Sequence, residues 1–189
     1  MLTNQRVSSL PEMSGFFTFK YVSKAQYDAL EAAVSAEEVK DELANTLGLS
    51  YKDKNKQGIA SDLFFYLYAF CKDHAFDDAK TSTFLSIMKA IFQRDSETHG
   101  ASMSASYEWF EEVLMRHCVH RIPYSVQVFD DHEVADILEF VVDTYFRQFR
   151  MYNYIFGVQA RVRLVQLLPQ AIEKPAELAP LSTAMQNAA

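Results

Sequence analysis

One apolar stripe in the second half of the chain constrains the fold more than any other feature. Its members follow each other at alternating steps of three and one, a spacing that keeps side chains on one face of an α-helix. Asp130 and Glu133 stand just before it in the spacing of a capping box. The pattern predicts a long amphipathic helix that must bury one face against other elements. The stripe comprises Val134, Ile137, Leu138, Val141, Val142, Tyr145, Phe146 and Phe149.

Several other segments carry helical signals. Ser35 and Glu38 form a second capping box, and Gly48 is placed to end that helix. The segment 62–74 is apolar on nearly all sides, which predicts a helix that lies between others in the core. Asp77 is a candidate N-cap for the helix that follows. Further helices are predicted at 24–33, 104–120 and 158–168.

The fold class predicted from these segments is all-α. We expect a compact bundle of about six helices, because glycine and proline are few and two-residue alternation is scarce. A chain of 189 residues is long enough for one core. The expected organisation is an N-terminal extension at 1–22, a single helical domain at 23–168 and a disordered Ala/Pro-rich tail at 169–189, which has few large apolar side chains.

Charge and composition argue against several classes of function. A formal net charge of −7 is unfavourable for nucleic-acid binding, which depends on Lys and Arg that neutralise phosphates. No run of about 18 apolar residues is present to span a membrane, and the first residues lack the apolar core of a secretory signal. Cys71 and Cys118 lie within apolar helical patterns, which favours a reduced intracellular compartment.

The sequence contains no pattern from which catalysis would be predicted. The glycines are dispersed, so no phosphate-binding loop is formed. Acidic neighbours such as Glu111 and Glu112 diverge around a helix and do not make an acid/base pair. We therefore predict that the chain is not an enzyme and has no catalytic residue and no cofactor.

Two segments resemble metal sites only in part. The stretch 53–58 imitates the start of a calcium loop, but Phe64 stands where an EF-hand needs a bidentate glutamate. A polar turn before the core helix is the expected structure there. His117, Cys118 and His120, with His132 further on, lack the second Cys or His pair that would complete a tetrahedral site. No metal site is predicted.

The segment from Tyr145 to Phe156 reads YFRQFRMYNYIF and interleaves aromatic side chains with arginines. Aromatics and Arg dominate the hot spots of protein interfaces, although such rings can also complete a core. From residue 145 to 168 there are four arginines and no acid, a pattern that suits either an acidic partner or a solvated helical face. The predicted partner-binding residues are Arg147, Phe149, Arg150, Tyr152, Tyr154, Phe156, Arg161 and Arg163.

Two longer segments carry a resemblance to a known family. They are HCVHRIPYS at 117–125 and VVDTYFRQFRMYNYIF at 141–156, within a similarity that covers about residues 62–167. On these segments the chain resembles the CLAMP-type family of small subunits of the 1a projection in the central apparatus of cilia and flagella. That family includes a coiled-coil-domain-containing cilia- and flagella-associated protein.

The resemblance implies a structural subunit of the axonemal cytoskeleton that supports the control of ciliary beating. The partners implied are sister subunits of the same projection, a large scaffold protein and calmodulin. Two alternatives stay open. In the first, the chain is a calcium-responsive adaptor that recruits calmodulin through Phe146–Leu168, where a partial IQ-type pattern begins at Val158. In the second, it is a subunit that binds the central-pair microtubule directly.

Overall fold

The computed structural model describes residues 17–98, 100–120 and 127–158. Within these ranges the chain forms seven α-helices, one 3-10 turn and no strand, which confirms the predicted all-α bundle. The predicted helix at 158–168, apart from its first residue, and the predicted tail lie outside the described residues. The elements are α1 (Lys24–Ala32), α2 (Ala36–Thr46), α3 (Lys54–Asp73), α4 (Asp78–Glu97), α5 (Met103–Arg116), α6 (Asp131–Thr144), the 3-10 turn (Phe146–Gln148) and α7 (Phe149–Phe156).

The predicted N-terminal caps are present. In α2 the Glu38 carboxylate accepts a hydrogen bond from the Ser35 backbone N–H at 3.3 Å, and in α6 Glu133 accepts from the Asp130 N–H at 2.9 Å. Asp77 caps α4 by accepting from the Lys80 N–H at 2.7 Å. These bonds satisfy backbone donors that have no partner within the helix.

Two helices end in the same left-handed C-terminal motif. Gly48 follows α2 with φ 61°, and the Leu49 N–H donates to Ala44 O at 2.8 Å. Ala75 follows α3 with φ 51°, and the Phe76 N–H donates to Cys71 O at 2.9 Å. This is the Schellman arrangement, in which the reversed chain satisfies the last carbonyl groups. Gly48 thus ends its helix as predicted, whereas Ala75 carries a Cβ in a conformation that favours glycine.

The centre of the bundle is α4. Every side chain from Thr81 to Met88 is buried, and the helix packs against α1, α3, α5 and α7. The sequence pattern predicted that α3 would lie between other helices. That helix does pack between α2 and α4, but it also has an outer face on which Tyr66 is 61% exposed. None of the described helices is both long enough and apolar enough to cross a lipid bilayer.

Residues 17–22, which we call the arm, lie across α4 and are held by its hydroxyl groups. The Phe19 N–H donates to Ser82 Oγ at 3.1 Å, and that hydroxyl donates to Val22 O at 2.7 Å. The Phe17 N–H donates to Nε2 of His117 at 3.2 Å. The small polar residues of α4 therefore serve as attachment points for a segment without regular structure.

The helix predicted over 134–149 is interrupted, which corrects the prediction of one continuous element. α6 ends at Thr144, a 3-10 turn covers Phe146–Gln148, and α7 begins at Phe149. No glycine or proline causes the break. Instead the rings at the turn take tertiary partners, since Phe146 packs edge-on against Tyr107 at 5.3 Å. Packing thus overrides the local helical preference.

The stretch 53–58 is also different from the expected polar turn. α3 begins at Lys54, with Asp53 as its N-cap accepting from the Asn55 N–H at 2.9 Å. Asn55, Gln57 and Gly58 therefore belong to the first turns of the helix. Side chains on successive helical residues point in different directions, so these oxygens do not converge as they do in a calcium loop.

Candidate protein-interaction surface

α7 is fixed to the bundle by stacked aromatic rings. Tyr152 is 8% exposed and stacks on Tyr145, with ring centroids 5.4 Å apart and planes 15° apart. Phe149 is 3% exposed and stacks on Phe146 at 6.1 Å. Such ring pairs stabilise packing beyond the burial of their area. The inner face of the helix therefore belongs to the core.

The C-terminal end of α7 is anchored in the same way. Phe156 packs against Phe92 of α4 at 4.9 Å and against Tyr51 at 5.1 Å. Asn153 Nδ2 donates to Ala101 O at 3.4 Å. Contacts at both ends hold this short helix in one position, although eight residues are too few for an isolated helix to be stable in water.

A buried polar group lies beneath this helix. Asp95 of α4 is 3% exposed, and its Oδ2 accepts hydrogen bonds from Ser106 Oγ at 2.6 Å and from the Tyr145 hydroxyl at 2.7 Å. Burial raises the pKa of Asp95, and the two hydrogen bonds oppose that rise. Burial, together with the nearby carboxylate, raises the pKa of Tyr145 well above its usual value. The tyrosine therefore keeps its proton and donates this hydrogen bond across the physiological pH range.

The outer face of α7 and the preceding turn carries a different set of side chains. Arg147 and Arg150 are exposed, Met151 is 41% exposed and Tyr154 is 75% exposed. We call these four residues the arginine–tyrosine face. No ion pair or hydrogen bond joins either arginine to another described residue. Their guanidinium groups are thus available to an acidic partner.

The structure divides the predicted partner-binding residues into three groups. Arg147, Arg150 and Tyr154 lie together on the outer face. The ring of Phe156 is half-buried, and Phe149 and Tyr152 are buried. Whether these rings contact a partner or complete the core was left open by the sequence, and here they pack within the chain. Arg161 and Arg163 lie outside the described residues, and the binding role of the whole set stays a prediction.

Sequence analysis missed Met151 as a member of this face. The residues 147, 150, 151 and 154 repeat the spacing of three, one and three that marked the core stripe. A second stripe with that spacing, offset from the first, was a signal in the sequence. The sequence did not show which of the two stripes faces the core, because the helix is interrupted after α6 and α7 begins with a new orientation of its faces.

His117 is part of the core and not of an open metal site. Its side chain is 2% exposed, Nδ1 contacts Val113 O at 2.8 Å, and Nε2 accepts from the Phe17 N–H at 3.2 Å. This geometry requires a neutral ring with its proton on Nδ1. Burial lowers the pKa of His117, which favours the same state. Among the described residues, no three His, Cys, Asp or Glu side chains are grouped to hold a metal ion.

The two cysteines have the properties of unreactive core thiols. Burial raises the pKa of Cys118 to about 11, and its Sγ donates to Leu114 O at 3.1 Å. Cys71 is 1% exposed, and burial raises its pKa as well. Because the thiolate is the nucleophile, neither side chain is activated for covalent chemistry.

A protein-family model matches the part of the chain that contains these features. The model described as CLAMP, flagellar C1a complex subunit C1a-32, matches residues 66–164. That range is slightly more than half of the chain. It includes all of α4 to α7 and therefore the arginine–tyrosine face and the buried Asp95.

Proposed function

This chain belongs to the CLAMP family of flagellar C1a complex subunits, and we propose that it is a non-catalytic assembly subunit of the central-pair 1a projection. Membership of the family assigns it to the axoneme of a cilium or flagellum, within a complex that contains sister subunits. In the proposal the chain contributes to the regulation of ciliary beating through protein contacts alone.

The observation that carries the proposal is the arginine–tyrosine face. It combines two exposed arginines with an exposed methionine and an exposed tyrosine ring, and these residue types are enriched at protein interfaces. The helix beneath them is held by buried rings, so little ordering is needed when a partner binds. A surface presented in this way is suited to docking on a neighbouring subunit.

The charge of this face defines its partner. The chain as a whole carries −7, whereas the charged members of the face are both arginines. Arginine forms bidentate hydrogen bonds with carboxylates, which adds direction to the attraction. The preferred neighbour is therefore a protein with an acidic surface, and a helical surface with exposed carboxylates fits best.

The test is incorporation into the C1a complex. Combined replacement Arg147→Ala, Arg150→Ala and Tyr154→Ala should release the chain from the complex and leave its helical circular dichroism unchanged. Tyr152 is left in place because its ring supports the core. The matched control is Lys52→Ala with Lys54→Ala, two exposed cations that are not members of this face. Normal incorporation of the triple variant contradicts the proposal.

Recruitment of calmodulin through Phe146–Leu168 stays a second prediction, and the fold sets a condition on it. Phe146, Phe149 and Tyr152 are buried, and withdrawing a large apolar side chain from a core costs about 1.5–3 kcal/mol each. Calmodulin would therefore need the residues after 158, or a locally opened α7. A pull-down of the full chain with and without calcium distinguishes this adaptor from an assembly subunit.

Contact with a large scaffold protein is a further part of the proposal, and direct attachment to the central-pair microtubule stays an alternative to it. The surface of tubulin is acidic, so the arginine–tyrosine face suits it in the same way as an acidic subunit. Co-sedimentation with microtubules that disappears at high salt would support direct attachment, since exposed charge pairs are screened by salt. Co-sedimentation with the complex alone would assign the face to a sister subunit.

A further inference from the structure

An open groove separates α3 from α6 and encloses about 460 Å³. The wall formed by α3 consists of Tyr66, Ala69, Phe70 and Asp73. These positions are spaced by three, one and three residues, so they form one continuous stripe along the helix. The groove therefore follows the axis of α3 for about two turns.

The opposite wall is a matching stripe on α6. Asp136, Glu139, Phe140 and Asp143 line the groove with the same spacing of three, one and three. Two helices that present stripes of this kind to a common groove form the type of site in which another helix is received. The carboxylates of this stripe alternate with the apolar residues through which α6 packs on the bundle.

The floor of the groove is aromatic. The rings of Phe70 and Phe140 stack with centroids 4.1 Å apart and planes 16° apart. Beside them the Tyr66 ring is 61% exposed. An exposed ring next to a stacked pair gives apolar side chains of a partner a place to pack.

The rim of the groove is negatively charged and largely uncompensated. It carries four carboxylates, and no lysine or arginine lines it among the described residues. Asp136 approaches His74 Nε2 at 3.9 Å. In the described part of the chain, Asp73, Glu139 and Asp143 form no ion pair. Like charges held together beside an apolar floor favour a cationic partner.

We propose that this groove binds a basic amphipathic helix of a neighbouring protein. Apolar side chains of that helix lie on Tyr66, Phe70 and Phe140, and its Lys or Arg side chains pair with the carboxylates on both rims. The site is distinct from the arginine–tyrosine face and opposite to it in charge. The subunit then joins one neighbour with an acidic surface to another with a basic helix.

A second copy of this chain is a poorer occupant. Its cationic helix is α7, but the aromatic side of α7 is buried against α4 and the rings around it. Among the described residues of that helix, Met151 and the ring of Tyr154 are the large apolar groups well exposed beside the arginine. A copy would bring charge to the groove, but fewer apolar side chains than a helix that is apolar along one whole face.

A binding assay with the full chain tests the proposal. The probe is a labelled peptide of about 18 residues, roughly five helical turns, with leucine on one face and arginine on its flanks. A scrambled peptide of the same composition is the control for charge alone. The groove variants are Glu139→Lys with Asp143→Lys, and separately Tyr66→Ala. The matched protein control is Glu108→Lys with Glu111→Lys on the exposed side of α5, which changes net charge equally.

The groove variants should bind the probe at least about tenfold more weakly, and the α5 control should change affinity by less than about twofold. Equal losses in groove and control variants, or equal binding of the scrambled peptide, would overturn the proposal, because attraction would then follow net charge. A wild-type dimer that becomes a monomer in the Glu139→Lys, Asp143→Lys variant would also overturn it, by assigning the groove to a second copy.

The assembled complex gives an independent readout. Tyr66→p-benzoylphenylalanine introduces a photo-crosslinker at an exposed position on the groove floor. It should crosslink to a segment with basic residues at helical spacing, and a crosslink confined to an acidic segment would contradict the proposal. The variant lacking Arg147, Arg150 and Tyr154 should still bind the peptide, so failure at one surface is distinguishable from failure at the other.

Discussion

The Tyr145 hydroxyl donates a hydrogen bond of 2.7 Å to Oδ2 of Asp95, across 50 residues of sequence. Both groups are buried, and the bond joins the end of α6 to the central helix α4. It lies where the chain turns from α6 into α7. The position of the arginine–tyrosine face therefore depends on a polar contact within an otherwise aromatic core.

Tyr145→Phe should lower the free energy of unfolding by about 1.5–3 kcal/mol, the usual contribution of a hydrogen bond to a charged group. The ring and its stacking on Tyr152 are kept, so the loss reports the hydroxyl alone. Urea denaturation followed by circular dichroism measures it. The matched control is Tyr66→Phe at an exposed position on α3, which should leave stability nearly unchanged.

The same variant has a defined pH dependence. The hydrogen bond from Tyr145 favours the charged carboxylate, so its removal raises the pKa of Asp95 further. The destabilisation should be largest where Asp95 is ionised and should shrink as the pH falls through its raised pKa. A loss of stability that is constant from neutral to acidic pH would show that Asp95 is not the acceptor.

His117 should make the fold sensitive to mild acid. Its pKa in the folded chain is lowered by burial, so stability is complete above the usual value of 6.5 and declines as the pH falls from there through the lowered pKa. The slope approaches about 1.4 kcal/mol per pH unit for one proton. Protonated Nε2 no longer accepts from Phe17 N–H, so hydrogen exchange of that amide should accelerate.

His117→Asn should remove this acid-dependent slope, although it also lowers stability at neutral pH. The matched control is His120→Asn at an exposed position three residues further along. That control should retain the slope. If both variants retain it, another group causes the acid sensitivity.

The two left-handed C-caps offer a pair of opposite substitutions. Ala75→Gly should stabilise the chain by about 0.5–1 kcal/mol, because φ 51° is strained for a residue with a Cβ. Gly48→Ala should destabilise it by about 1 kcal/mol. Apart from the two chain neighbours of Gly48, no atom of the described residues lies within 4 Å of the Cβ position, so the cost is conformational and not steric. Denaturation midpoints with constant m-values measure both changes.

Ser82→Ala tests how the arm is attached. The hydroxyl accepts from the Phe19 N–H and donates to Val22 O, and loss of both bonds should cost about 1–3 kcal/mol. Limited proteolysis near residue 22 should become faster. Ser104→Ala, at an exposed position on α5, is the control. Unchanged cleavage in the Ser82 variant would mean that aromatic packing alone holds the arm.

Local signals in the sequence were sufficient for several helix ends, although not for the start of α3 at Lys54 or the break after Thr144. The capping pairs Ser35 with Glu38 and Asp130 with Glu133 are formed, and Gly48 ends α2. These features depend on residues a few positions apart, so their physical chemistry is contained in the local sequence. The same holds for the all-α class, which follows from helical periodicity.

Which helix lies at the centre was not available from that kind of pattern. α4 contains the hydroxyl residues Ser82, Thr83 and Ser86, which count as polar in any hydropathy pattern. Their donors and acceptors are satisfied within the helix or by the arm, for example by Thr83 Oγ1 donating to Ala79 O at 2.7 Å. Burying these hydroxyl groups therefore costs little free energy. Their hydrogen-bond partners are brought together only in the folded chain, so the sequence pattern does not reveal this.

The sequence by itself determined the helical periodicity, the caps and the presence of an aromatic and arginine-rich segment, because each depends on neighbours along one helix. Only the tertiary structure decided that the chain breaks after Thr144, that Tyr152 faces inward while Arg150 and Tyr154 face outward, and that α3 and α6 enclose an acidic groove. These features depend on contacts between residues far apart in sequence, such as Tyr145 with Asp95, and such contacts exist only in the folded chain.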